Sequence, residues 1–133
     1  MSDHTISCTI VNQTSGTMVL ASTAPNDHTD VSTASGASSI AAGVTVDNAF
    51  TGWNNWASGC GGTVTYTMPN STDVLVIAYN TSTTYENSYC IPMLRSADPS
   101  TTPGCDAYYC DVSGSVVSGQ DNGAVTTVTV YDK

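Results

Sequence analysis

Apolar and polar positions alternate along this chain in short runs, and each run is closed by residues that favour turns. In residues 5–11, Ile6, Cys8 and Ile10 fall on one side and Thr5, Ser7 and Thr9 on the other, the period of a half-buried strand. The NQTSG stretch at 12–16 is turn chemistry and predicts residues 17–21 as the returning strand of a hairpin. Residues 22–39 are polar and carry Pro25, Asn26, Asp27 and Gly36, which predicts an irregular surface excursion with a short edge strand at Val31. Residues 40–43 read as a strand end and turn, and residues 44–50 as a short strand. The TGWNNWASGCGG stretch at 51–62 holds both tryptophans and several glycines without alternation, so it predicts a loop.

The second half is more strongly patterned. Val64, Tyr66 and Met68 share one face of a strand at 63–68, and Pro69 opens a turn. The continuous apolar run VLVIAY at 74–79 predicts a central strand covered on both faces. Residues 89–94 read as a strand interrupted by Pro92, which implies an edge or a bulge. After a loop at 96–104, short strands are expected at 108–112 and 115–117, then a turn and a strong final strand at 124–131 (AVTTVTVY). Roughly eight short strands with no helix-period segment predict an all-β, antiparallel β-sandwich. At 133 residues, positions 1–133 form one domain, large enough to bury a continuous core.

Charge narrows the partners. Arg95 and Lys133 are the only basic residues against eleven acids, for a net charge of −9. Phosphate backbones are held by several Lys or Arg, so nucleic acid is excluded as a partner, and strongly anionic lipid is disfavoured. A neutral or zwitterionic lipid headgroup, a glycan, a cation, a protein partner or a second copy in a homo-oligomer remains. The start, MSDHTISCTI, has no basic region followed by an apolar core. The expected locations are therefore the cytoplasm or the exterior, reached by a route without a visible signal peptide. The sequons at Asn12, Asn70 and Asn80 accept glycans only in a secretory pathway.

Candidate chemistry is sparse. The five cysteines are an odd number, so at least one lacks an intrachain partner. Cys105 and Cys110 are spaced to close a short loop in an oxidising compartment, Cys60 and Cys90 are further disulfide candidates, and Cys8 reads as a small buried hydrophobe. His4 and His28 stand in segments without a nucleophile motif. Glu86 is the single glutamate and the aspartates gather in turns, so the paired carboxylates of a glycosidase are not indicated. Asp27 with Asp30, or Asp106 with Asp111, read as turn formers before they read as calcium ligands. No catalytic residue, metal or cofactor is assigned, and the chain is expected to bind without catalysis.

The best ligand-binding candidates are aromatic and amide side chains: Trp53, Asn54, Asn55, Trp56, Tyr85 and Tyr89. Trp and Tyr combine an apolar body with a polar tip, which suits both a lipid headgroup region and the face of a sugar ring. Tyr79, Tyr108 and Tyr109 also fall in or beside expected loops. In order along the chain, Val11-Asn12 and Ser15-Gly16, then Gly61-Gly62-Thr63-Val64-Thr65-Tyr66, the apolar strand at 74–79, the aromatic-polar stretch to Tyr89, and Ser118-Gly119 before Gly123-Ala124-Val125-Thr126-Thr127-Val128-Thr129-Val130 resemble the aegerolysin family. More loosely, the arrangement is similar to actinoporin-like sandwiches. The resemblance implies lipid or membrane-surface recognition, with the protein a component of a pore-forming pair. The alternatives are a carbohydrate-binding lectin using the same side chains, and a structural, storage or receptor-recognised protein without a small-molecule site.

Overall fold

The computed structural model describes residues 5–26, 29–54, 60–81, 88–98, 105–113, 116–117 and 124–133. Two sheets face one another. The five-stranded sheet runs β3 (Thr29–Thr33), β5 (Thr45–Asn54), β1 (Thr5–Gln13), β11 (Ala124–Asp132) and β9 (Tyr108–Ser113). The six-stranded sheet runs β10 (Val116–Val117), β8 (Ser88–Ser96), β7 (Asp73–Thr81), β6 (Cys60–Thr67), β2 (Met18–Pro25) and β4 (Ser39–Ile40). The all-β sandwich expected from the alternation is thus present. One pairing departs from the antiparallel expectation: β1 runs parallel to β11, from Ile6 opposite Ala124 to Gln13 opposite Tyr131.

The alternating residues do what their period requires. Ile6, Cys8 and Ile10 from β1, Val64 and Tyr66 from β6, Leu75, Ile77 and Tyr79 from β7, and Val128 and Val130 from β11 meet in one buried cluster. Each such side chain stabilises the fold by about 1.5–3 kcal/mol through removal of apolar surface from water. Tyr66 places its hydroxyl on the carbonyl of Ala37 at 2.7 Å, so its one polar atom is satisfied inside.

The first turn does not make a hairpin. β1 and β2 belong to opposite sheets, and the chain between them crosses from one layer to the other. Asn12 fixes the crossing: fully buried, it donates from Nδ2 to Gly16 O at 2.9 Å and Ile40 O at 2.8 Å, and its Oδ1 accepts from the Thr14 backbone and hydroxyl. Gly16 lies against Pro69 so closely that a Cβ would stand 2.6 Å from Pro69 Cβ. Residues read as turn formers here connect layers instead of neighbouring strands.

Glycine misled the reading of residues 51–62 as a loop. β5 continues to Asn54 and β6 already begins at Cys60. The glycines make room for one aromatic ring. A Cβ on Gly52 would fall 2.5 Å from Tyr79 Cε2, and one on Gly62 would fall 2.8 Å from the Tyr79 hydroxyl oxygen. Tyr79, expected beside a loop, is buried there with its ring 5.4 Å from that of Phe50. Tyr108 is likewise buried, whereas Tyr109 is exposed and stacks on Tyr131 at 4.8 Å between centroids. β2 also runs on to Pro25 where an irregular excursion was expected, while the edge strand foreseen at Val31 is β3.

Candidate functional site

Strand β7 carries the main surprise. Its run VLVIAY is covered on one side only: Leu75, Ile77 and Tyr79 are buried, while Val74, Val76 and Ala78 are half-exposed on the outside of the sheet. The apolar run therefore reflects two different surfaces, a core and a face open to solvent. In β8, next in the sheet, Ile91 pairs with Ala78, Met93 with Val76 and Arg95 with Val74. Ile91 and Met93 are 48% and 58% exposed, unusual for such large apolar side chains set side by side. On the other flank of β7, Thr63, Thr65 and Thr67 of β6 pair with Ala78, Val76 and Val74. Beyond them, Ala24, Ser22 and Val19 of β2 complete the face.

The result is a flat surface of aliphatic groups and hydroxyls. Among the described residues it carries no carboxylate, although the chain has eleven acids. Arg95, one of the two basic residues, is exposed at its corner. Low charge density together with contiguous apolar side chains is the usual character of a surface that meets another apolar or neutral surface. No strand among the described residues pairs with Ile91–Ser96 on the far side of β8, because β10 reaches only Ser88 and Tyr89. Pro92 has no N–H, which blunts that edge against strand addition. The open face, not the edge, is the surface available for contact.

Of the ligand-binding residues expected from the sequence, Trp53 is a strand residue of β5, opposite Thr5 on β1 and Asp30 on β3. Gly52 beside it points inward, and Trp53 is half-buried on the outer face of the five-stranded sheet. Asn54 ends β5, and Tyr89 lies on β8 in register with Asn80. These positions fall at one end of the sandwich: Thr29 pairs with Asn54, and its hydroxyl accepts from the Gly61 N–H at 3.1 Å, joining the two sheets there. Asn55, Trp56 and Tyr85 lie outside the described residues. The structure thus brings Trp53, Asn54 and Tyr89 to one end, but on strands of different sheets.

Cys8, Cys90, Cys105 and Cys110 are free thiols, so the short loop expected from Cys105 and Cys110 is not closed by a bond; the Cys60 side chain lies outside the described residues. Both Cys105 and Cys110 are half-buried, and burial raises each thiol above its ordinary range. Two further cysteines, Cys8 of β1 and Cys90 of β8, are completely buried on strands of opposite sheets. The neighbouring Cys90, reinforced by burial, keeps the Cys8 thiol protonated far above the usual thiol range. No group of His, Cys, Asp or Glu among the described residues is arranged to hold a metal ion.

The outer aliphatic face was missed because β7 was read as a strand covered twice. The signal lay in two strands together: VLVIAY in β7 and the alternate Ile91 and Met93 in β8 are apolar on the same side. Compared with known proteins, the chain matches no family model, and no curated protein is detectably similar to it.

Proposed function

We propose that this protein is a non-enzymatic binding protein that adsorbs to neutral, zwitterionic lipid surfaces through the outer face of its six-stranded sheet. The observation that carries the reading is the acid-free face of Val74, Val76, Ala78, Ile91 and Met93 on a chain of net charge −9. Aliphatic side chains gain by leaving water for the acyl boundary, while Thr63, Thr65 and Thr67 stay hydrogen-bonded among headgroups. The exposed Arg95 at the corner supports the reading, because a guanidinium pairs with a headgroup phosphate. The remaining acids repel anionic lipid, which selects for zwitterionic composition. This reading agrees with the lipid recognition implied by the aegerolysin resemblance, but rests on a sheet face and not on the aromatic residues.

Co-sedimentation with phosphatidylcholine vesicles tests it. The native chain is expected to pellet with the vesicles. A double variant, Ile91→Asp with Met93→Asp, is expected to stay in the supernatant, while Thr127→Asp with Thr129→Asp on the opposite sheet continues to pellet. Equal behaviour of the two variants, or no pelleting of the native chain, would overturn the proposal. Concentration-dependent self-association that the first variant abolishes, without vesicle binding, would assign the face to a second copy of the chain.

A second reading has one observation of its own. Trp53, half-buried beside Asp30 and Thr5 on the other sheet, combines an aromatic surface with a carboxylate and a hydroxyl, as a sugar-binding subsite does. Binding on a glycan array that Trp53→Ala removes, with vesicle binding intact, would support a lectin function.

A further inference from the structure

We infer that Asn70 is an N-glycan acceptor when the chain passes through a secretory pathway, and that Asn12, with the same motif and the same local turn, is barred by burial. Three Asn-x-Ser/Thr triplets occur: Asn12-Gln13-Thr14, Asn70-Ser71-Thr72 and Asn80-Thr81-Ser82. The reaction needs a Ser or Thr two residues after the asparagine and an amide that an enzyme can reach. The sequence satisfies the first condition three times and is silent on the second.

Asn12 and Asn70 build the same turn. In each, the side-chain carbonyl oxygen accepts from the backbone N–H of the motif's threonine, at 3.0 Å from Thr14 and 3.1 Å from Thr72. The surroundings differ. Asn12 is fully buried with Thr14, and its Nδ2 donates both to Gly16 O at 2.9 Å and to Ile40 O at 2.8 Å. An N-linked sugar leaves the amide one N–H in place of two, so at Asn12 it would break one of those bonds and force a polar ring into the core.

Asn70 stands in the turn between β6 and β7, and it is exposed together with Ser71 and Thr72. Its Nδ2 donates to Asp73 Oδ2 at 2.6 Å, which one remaining N–H can supply. The framework holds this turn from outside the triplet: the Asn70 N–H donates to the Tyr108 hydroxyl at 3.1 Å, and the Ser71 N–H to Met68 O at 2.9 Å. Asn80 is a different case. It is half-buried within strand β7, paired with Gly61 on one side and Tyr89 on the other.

The chemistry is group transfer from a lipid-linked oligosaccharide pyrophosphate, catalysed by a membrane oligosaccharyltransferase. Asn70 Nδ2 forms a bond to the anomeric carbon of the first sugar, and the bond from that carbon to the pyrophosphate oxygen breaks. The lipid pyrophosphate leaves, and the amide nitrogen gives up one proton. No group is oxidised or reduced. Where transfer precedes folding, burial still selects, because a chain modified at Asn12 cannot close the crossing between its layers.

Secretion of the full chain behind a cleavable leader from a yeast host tests the assignment. Folded protein is treated with N-glycanase in heavy-oxygen water, which marks each modified asparagine as a labelled aspartate, and mapped by mass spectrometry. Label is expected at Asn70 and not at Asn12. Thr72→Ala, an exposed change that keeps Asn70, is expected to abolish the label there, and Thr72→Ser to retain it. Translation of the same chain into microsomes supplies the map without export. An unmodified Asn70, or a label on Asn12 in the folded protein, would overturn the inference.

Discussion

The two outer faces of the sandwich are built on the same plan and carry opposite surfaces. On the five-stranded sheet, outward positions bring Asp30 beside Trp53 and Asp111 beside Thr129, with the Tyr109–Tyr131 stack at one edge. Ser7 and Thr51 hydrogen-bond across the strands at 2.8 Å. That face is mostly charged and hydroxylated, with Val125 exposed among the polar groups. On the six-stranded sheet, the equivalent positions are aliphatic or hydroxylated apart from Arg95 at the corner, and include no acid among the described residues. Solubility is supplied by one side and given up on the other. This asymmetry among the described residues is the observation that motivates the proposed binding surface.

Four tests, two of them with a matched control, sharpen or break this contrast. The largest effect is expected inside. Leu75→Ala on the inner side of β7 should lower unfolding free energy by about 2–5 kcal/mol, the range for a truncated core side chain. Val76→Ala, one residue away but facing outward, should cost no more than about 1 kcal/mol in the same urea titration. Similar losses at both positions would mean that the outer face is covered in the native protein. Next, Gly52→Ala should cost about 1–3 kcal/mol, because its Cβ meets the Tyr79 ring at the core and overpacking forces both to shift. An unchanged urea midpoint would show that the ring has room to yield.

The third test is of binding. Val76→Asp plants a carboxylate at the centre of the acid-free face and should weaken vesicle binding by about tenfold or more, because the charge would have to be desolvated. Thr127→Asp on the other sheet serves as the matched control and should leave binding unchanged. The smallest effect is expected from Arg95→Gln, an exposed charge at the rim. It should weaken binding by about two- to fivefold, as suits an exposed ion pair, and the difference should fade as salt is raised. A loss larger than that of Val76→Asp would shift the proposal from apolar adsorption to recognition of a phosphate.

Much of the architecture was legible because a strand with one buried face leaves a two-residue period in the sequence. Ile6-Cys8-Ile10 and Val64-Tyr66-Met68 announced their strands, and both sets are buried as their spacing requires. Glycine was the weak point. Gly52, Gly61 and Gly62 have the composition of a loop, yet they are strand residues that leave space for Tyr79 and its backbone. A steric fit between residues far apart in sequence leaves no local trace. The site was less legible than the fold, because a run such as VLVIAY is the same whether its second face meets another layer or meets solvent.

By itself, the sequence determined that this chain folds into short strands and that its core takes the alternate apolar positions. Those properties follow from local periodicity, which acts without knowledge of neighbours. Only the tertiary structure decided which strands pair, that the first turn crosses between layers, that Gly52 and Gly62 make room for Tyr79, and that Ile91 and Met93 stand beside Val76 on an open face. Each of these depends on contacts between distant segments, and pairing partners are selected by the packing of the whole.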